Sequence, residues 1–360
     1  MAKILVVTKD IAEFQIYQPV KELLRAAGHD VTVIAEGLSL DKWLEAGEAV
    51  YGGRPDEVHQ DAQTKCRYDI EELKVLKELQ PDLILTGLGA PINLGERFGL
   101  AANLRGIKLG YVIDVWGAES RSLAVPGFIC TLDQFGKKKI ETYGPYQNLN
   151  LPPRVYVTGS PAMDRLAHLQ GDKYVSGVAN VYGLVVLLAG QDESTTPVVE
   201  GLLEALGRLN AKGQRVMLIS RLHPKFLARA DLQALWLAAL AKAPCDVLWV
   251  KSDIATARLI KSVQITVSTY SNALIEAAML GSTPVSWVSD IGREKMRVAL
   301  GGLERFPLVD YGCALEVSTA EEFLAIEPET RDKVAERCRQ VFPNGKAAKR
   351  VVGAIKAELR

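Results

Sequence analysis

The chain has 360 residues, 48% apolar and 24% charged, with 43 basic and 43 acidic side chains. At roughly 150 residues per domain this is two domains, and the balanced charge argues against a dedicated nucleic-acid binder, which needs a basic face to neutralise phosphates. Four scattered His and five Cys without a Cys-x-x-Cys pair give no structural zinc pattern, and the odd thiol count fits a reducing compartment.

No apolar run reaches the roughly 18 to 20 residues that span a bilayer. The run 4–7 after Met1-Ala2-Lys3 is too short for a signal-peptide core, so the expectation is a cytoplasmic protein, with peripheral contact at the inner membrane face left open. That same run is continuous and rich in β-branched residues, which predicts a strand buried on both faces. Val20, Leu23, Leu24 and Ala27 then fall at helical spacing, and Gly28 stops the helix. A second strand at 31–35 completes a βαβ unit. The pattern returns as a strand at 82–86, a helix at 94–104 and a strand at 109–114, with short strands at 128–132 and 155–158. Residues 1–168 therefore read as one doubly wound α/β domain, and the weakly patterned stretch 169–182 as a linker. A second series follows, with strands at 184–189, 216–220, 247–250, 263–267 and 285–288. Between them lie helices at 197–209, 232–240, 254–261 and 271–280. This predicts a second Rossmann-like domain over 183–328. The tail 329–360 is helical by composition and broken at Pro343-Asn344-Gly345. Its basic, amphipathic end either packs back across the domains or touches an anionic membrane. Two such domains imply a cleft, because strand C-termini and helix N-termini of open α/β sheets face crevices.

Three stretches of the second domain carry chemistry. In "LLAGQDESTTP" Gly190 ends a strand, Ser194, Thr195 or Thr196 can cap the next helix, and Pro197 suits its first turn. A helix N-terminus reached this way binds anions through free N–H groups and the macrodipole; a capped helix without a ligand is the alternative. In "LISRLHPKF" the strand ends at Ser220, and Pro224 holds His223 extended. With Arg221 and Lys225 beside it, His223 can donate to a leaving phosphate, or it is a surface-loop His. In "VSTYSNALIEAAMLG" the hydroxyls of Ser268, Thr269 and Ser271, with Asn272, crowd the first turn of a helix. Glu276 lies about 1.4 turns into that apolar helix. Its carboxylate needs solvent, a cation or a ligand such as a ribose diol.

In the first domain Asp114 ends a strand and Glu119 follows in "DVWGAESR". Either carboxylate can take the proton of an acceptor hydroxyl, with Asp114 the first choice; a helix or turn cap is the alternative for Asp114. Asp10 and Glu13 lie at the same sheet edge in second rank, and Trp116 stacks on a sugar or packs. The first strand is followed by "TKDIAEFQ" and not by Gly-x-Gly-x-x-Gly, Gly87-x-Gly89 lacks its third Gly, and no Walker or His-Glu-x-x-His pattern occurs. Asp-x-Asp is also absent. The expectation is chemistry without a metal or a cofactor.

Taken in order, "LLAGQDES", "SRLHP" and "VSTYSNALIEAAMLGSTPV" resemble the nucleotide-binding half of GT-B enzymes. More narrowly they are similar to the group of non-hydrolysing sugar-nucleotide 2-epimerases, CDP-glycerol transferases and capsule glycosyltransferases. "LILTGLGAPINLGERFGLAANLRGIKLGYVIDVW", "VYVTGSPAMDRL" and "NGKAAKRVVGAIK" look like the same families. The resemblance implies that Ser271 and His223 contact donor phosphates and Glu276 the ribose. It implies a UDP-, CMP- or CDP-linked donor held by the second domain, and a glycan, lipid-linked or protein acceptor held by the first. The leading reading is a glycosyltransferase of surface glycan or glycoconjugate synthesis. The alternatives are a 2-epimerase, a CDP-polyol phosphotransferase and a nonenzymatic nucleotide-sugar binder. The epimerases carry Gly-Thr-Arg-Pro-Glu after the first strand, where this chain has Val7-Thr8-Lys9-Asp10-Ile11.

Overall fold

A computed structural model describes residues 1–51, 70–88, 93–191, 194–223, 229–250, 254–342 and 345–360. The chain divides into two compact units, Met1–Asp164 with Gly345–Arg360, and Arg165–Asn344.

The first unit holds β1 (Lys3–Thr8), β2 (Asp30–Ala35), β3 (Leu83–Thr86), β4 (Lys108–Val112), β5 (Phe128–Thr131) and β6 (Arg154–Val157). They form one sheet in the order β2-β1-β3-β4-β5-β6, every pairing parallel. Side chains alternate across a strand, so β1 serves two cores. Ile4 and Val6 pack with Tyr17, Val20, Trp43, Val351 and Ile355, and Leu5 and Val7 pack with Phe98, Ala101 and Tyr111. This two-sided burial is why the run is apolar at every position. The helix Ile11–Ala26 starts at Asp10 in extended conformation and stops before Gly28, whose φ of +84° suits glycine.

The second unit holds β7 (Leu184–Ala189), β8 (Val216–Arg221), β9 (Asp246–Trp249), β10 (Ile265–Ser268), β11 (Thr283–Trp287) and β12 (Leu315–Val317). Their order is β12-β11-β10-β7-β8-β9, again all parallel. Leu184, Val186 and Leu188 pack on Val198, Leu202 and Leu206 of the helix Thr195–Ala211, and Trp236, Trp287 and Phe323 fill the same layer.

Two expectations change. The stretch 169–182 holds the helix Lys173–Ala179 and belongs to the second unit; the Asp172 carboxylate accepts from the N–H groups of Tyr174 and Val175 at 3.0 and 3.1 Å. Seven residues with little apolar content give no visible period, and the cap supplies the signal instead. The tail is not one body either. The helix Pro328–Val341 stays with the second unit, and the helix Ala347–Glu358 joins the first. The Asp164 carboxylate accepts from Ala347 N and Ala348 N, each at 2.9 Å. At the other end Glu358 accepts from Arg154 at 2.5 Å and from the Tyr156 hydroxyl at 2.7 Å. Val351, Val352, Ala354 and Ile355 are buried, so the apolar face of this helix is spent inside the unit, with Lys349 and Lys356 exposed. Pro343 and Asn344 lie outside the described residues.

Among the described residues no helix is long and apolar enough to cross a membrane. Cys130, Cys245, Cys313 and Cys338 are free thiols, and Cys66 lies outside the described residues.

Each sheet has one point where the chain reverses its direction of growth. From β1 it runs outward to β2, then returns to β3 on the other side; from β7 it runs to β8 and β9, then returns to β10. Helices following adjacent strands diverge to opposite faces there, which opens a crevice at the strand C-termini.

Candidate functional site

In the second unit the crevice lies between the ends of β7 and β10. It is laced by polar groups. Ser268 Oγ donates to Ala189 O at 2.6 Å, Tyr270 N donates to Gln191 Oε1 at 3.0 Å, and Gln191 N donates to Thr195 Oγ1 at 3.0 Å. Ser268 and Thr195 are therefore engaged in tying the loop after β7 to its neighbours. Gln191, which makes two of these bonds, stands inside the Gly190 motif but its role depends on β10 being adjacent. Ser286 Oγ donates to Thr269 O at 2.7 Å, while the buried hydroxyl of Thr269 has no hydrogen-bond partner among the described residues. Ser271 Oγ accepts from Ala273 N at 3.2 Å and so caps the helix Asn272–Leu280. A hydroxyl used as acceptor keeps its own proton to donate, which leaves Ser271 able to serve an anion. Asn272 sits beside it, half-buried. Ser194 occupies the cap position of its helix in helical conformation, fully buried, without a side-chain cap bond.

Gly190 has a local explanation. A Cβ there would lie 2.3 Å from Cη2 of Trp236, whose Nε1 donates to Ser220 Oγ at 2.6 Å. The indole occupies the room a side chain would need. Gly190→Ala is expected to destabilise the second unit by about 1–3 kcal/mol through overpacking. Urea unfolding of the variant measures it, and an unchanged midpoint would show that the loop yields at no cost.

Arg221 ends β8 in register with Ala189, is buried, and donates to Ile254 O. Glu276 lies 3.5 Å from Arg165. Burial pushes the Glu276 carboxyl up, and the charges of Arg165 and Arg221 pull it back only in part. The cation that Glu276 requires is thus supplied chiefly by Arg165, in the stretch just after Asp164. Sequence reasoning missed Arg165, and no local pattern marks it, since the helix Asn272–Leu280 reaches it only in the folded unit. His223, half-buried, lies two residues past β8. Pro224 and Lys225 lie outside the described residues, as do Asp192 and Glu193 of the loop after Gly190.

In the first unit the crevice lies between β1 and β3. Thr8 Oγ1 is 2.6 Å from Ser39 Oγ and accepts from Trp43 Nε1 at 2.9 Å, and Lys9 Nζ lies 2.9 Å from Glu36. Glu13 is buried, and its Oε2 accepts from Lys9 N at 2.5 Å and Asp10 N at 3.2 Å. Burial pushes the Glu13 carboxyl up to about 7; the two N–H donors oppose this, and the charges of Asp10 and Asp114 add to it. Asp114, half-buried two residues past β4, is therefore in the electrostatic company of Glu13. Glu119 stands apart. It is buried in the single turn Ala118–Arg121, burial raises its carboxyl, and the charges that act on it are those of Lys139 and Arg121. Trp116 packs: it is buried, and its Nε1 donates to the Asp133 carboxylate at 3.0 Å. Gly89 lies outside the described residues. Among those described, no group of three or more His, Cys, Asp or Glu side chains is placed to hold a metal ion.

No protein-family model and no curated protein matches the sequence. Solved structures match along its whole length. A co-structure of S. aureus MnaA with UDP has a TM-score of 0.76 at 15% identity, covering 100% of this chain and 97% of that one. The Methanocaldococcus jannaschii UDP-GlcNAc 2-epimerase in complex with UDP-GlcNAc and UDP has a TM-score of 0.70 at 15% identity, covering 99% of each chain. Acinetobacter baumannii MurG has a TM-score of 0.60 at 14% identity, covering 99% and 100%. Likeness at such identities is likeness of fold: the chain has a GT-B-type fold, two parallel six-stranded α/β units in tandem.

Proposed function

We propose that the chain is a nucleotide-sugar enzyme that transfers a sugar to a hydroxyl acceptor. The second unit binds the donor and the first unit the acceptor. The observation that carries this reading is Glu276, on the helix capped by Ser271, 3.5 Å from Arg165 and in the field of Arg221, which ends β8. A carboxylate beside one arginine and in the field of another, near a helix N-terminus, suits a ribose hydroxyl and the phosphate attached to it. The likeness of fold to chains solved with UDP or UDP-GlcNAc supports the same ligand class. In the step itself the acceptor oxygen attacks the anomeric carbon and Asp114 takes its proton. His223 and the helix N-terminus at Ser271 stabilise the charge growing on the leaving phosphate.

Thermal denaturation with UDP-, CMP-, CDP-, GDP- and TDP-compounds tests the donor site. A ligand at about 100 times its Kd stabilises the native state by roughly 2.7 kcal/mol, and one nucleotide class is expected to raise the Tm. His223→Ala is expected to keep the fold and lose roughly 100-fold in nucleotide release from that donor. No shift with any nucleotide would remove the reading.

The second reading is a 2-epimerase, favoured by the fold likeness to the M. jannaschii enzyme. Against it stands the segment after β1, where Thr8 and Lys9 are bound to Ser39, Trp43 and Glu36. UDP-GlcNAc incubated without an acceptor separates the two: a product with inverted C2, seen by proton NMR, supports epimerisation.

A further inference from the structure

Glu13 uses half of its carboxylate. Oε2 takes the N–H groups of Lys9 and Asp10, the reciprocal part of a capping box. Oε1 is buried and accepts no hydrogen bond among the described residues. Capping accounts for the first oxygen and not the second, because a cap needs no burial and burying a charge is costly.

Oε1 lies over the end of β3, between β1 and β4. Glu13 follows β1 and Asp114 follows β4, with β3 between them in the sheet. Adjacent strands are about 4.8 Å apart, so the two strand ends are separated by roughly 10 Å. Gly87, just past β3, lies in this gap. A Cβ on Gly87 would fall 2.6 Å from Glu13 Oε1 and 2.8 Å from its Cγ. The backbone of Gly87 is not left-handed, so its conformation does not demand glycine. What glycine provides is room for the Glu13 carboxylate over the end of β3, the strand that separates β1 from β4.

We propose that Glu13 and Asp114 act as a linked carboxylate pair across Gly87, Asp114 meeting the acceptor hydroxyl and Glu13 behind it setting how firmly Asp114 holds the proton it receives. The proposal rests on the glycosyl-transfer reading. As the acceptor oxygen bonds to the anomeric carbon, its proton passes to Asp114. The bond from that carbon to the donor phosphate breaks, and its electron pair leaves with the nucleotide. Glu13 is a positioning residue and exchanges no atom with the substrate. When it ionises, a second negative charge strengthens Asp114 as a base. Among the described residues the other titratable groups beside Glu13 are Asp10, of the same sign, Lys9, whose ammonium pairs with Glu36, and Tyr17, whose hydroxyl donates to Thr86 O and whose ionisation burial pushes far above neutrality. Burial, with the charges of Asp10 and Asp114, holds the Glu13 carboxyl up at about 7 against the two N–H donors, which puts the change in the neutral range.

Two measurements on the full chain test this. The first needs no substrate: a carbon-13 NMR titration of glutamate carboxyls, with Glu13 assigned by its absence from Glu13→Gln. The Glu13 midpoint is expected near neutrality in the wild type and at least ~0.5 pH unit lower in Asp114→Asn. A midpoint that Asp114→Asn leaves in place overturns the pair. The second is kcat/KM against pH for UDP release from UDP-GlcNAc. It is expected to rise through the neutral range in the wild type and to be flat from about pH 6 to 8 in Glu13→Gln. In Gly87→Ala, which adds no titratable group, the inflection is expected to move. The wild-type inflection surviving in Glu13→Gln also overturns the pair. Absence of turnover by the wild type counts against the transferase reading for that donor, and the titration then decides the pair alone.

Discussion

A chain ending at Phe342 is expected to lose the fold of its first unit. The helix Ala347–Glu358 lies last in sequence, yet it fills one of the two cores of the sheet that begins at Lys3. Val351, Val352 and Ile355 are buried there among Ile16, Val20 and Phe128. Each such side chain contributes roughly 1.5–3 kcal/mol when fully buried. Three of them make roughly 5–9 kcal/mol, comparable to the whole stability of a domain, about 5–15 kcal/mol. Removal also strands Asp164, which caps the helix start, and exposes the sheet edge that Arg154 and Tyr156 share with Glu358. Hydrogen exchange read by mass spectrometry resolves the outcome: amides of residues 3–35 are expected to lose protection in the truncated chain. Ile355→Ala is the milder version, expected to destabilise by about 2–5 kcal/mol. Protected first-unit amides in the truncated chain would refute the assignment of this helix to that core.

Replacing Glu13 by glutamine is expected to stabilise the protein at alkaline pH. The Glu13 carboxyl, ordinarily near 4.5, is raised to about 7 in the folded chain. Between these values the folded state holds a proton that the unfolded state has released, so stability falls as pH rises through the window. Below it both states are protonated and nothing is lost; above about 7 both are ionised and the deficit is complete. At roughly 1.4 kcal/mol per pH unit the deficit is on the order of 3 kcal/mol. The amide of the Glu13→Gln variant does not titrate in this range, and its oxygen still accepts from the N–H groups of Lys9 and Asp10. Urea unfolding at about pH 5 and about pH 8 is expected to give similar stabilities for the two chains at the lower pH and a more stable variant at the higher. A difference that is the same at both values would mean that the carboxyl is not desolvated as described.

Much of the fold was legible because its signals are local. Continuous apolar runs such as 4–7 and 184–189 mark strands covered on both faces, and Gly28 and Gly281, both at positive φ, mark helix ends. The helix Lys173–Ala179 was illegible, being too short to show a period. The site was legible in its motifs and not in its roles. Gly190, Ser268 and Thr195 stand where an anion loop is expected, but Trp236, Ala189 and Gln191 use them within the protein. Glu276 was marked by its apolar helix, while Arg165, which pairs with it, carried no signal. Asp114 stood first along the chain, Glu119 beside it and Glu13 in second rank; in the folded unit the charge of Asp114 acts on Glu13, while those acting on Glu119 are Lys139 and Arg121.

Read along the chain alone, most of the strands, several of the helices, the two α/β series and the families they resemble are already legible. Those follow from the spacing of apolar and capping residues within single elements, which neighbours do not alter. Which strands are adjacent, where each sheet reverses, which unit owns the last helix and which carboxylates lie in one another's field became visible with the folded chain. Burial and charge act through space, and the residues that supply them, Gly87 for Glu13 and Arg165 for Glu276, come from stretches dozens of positions away.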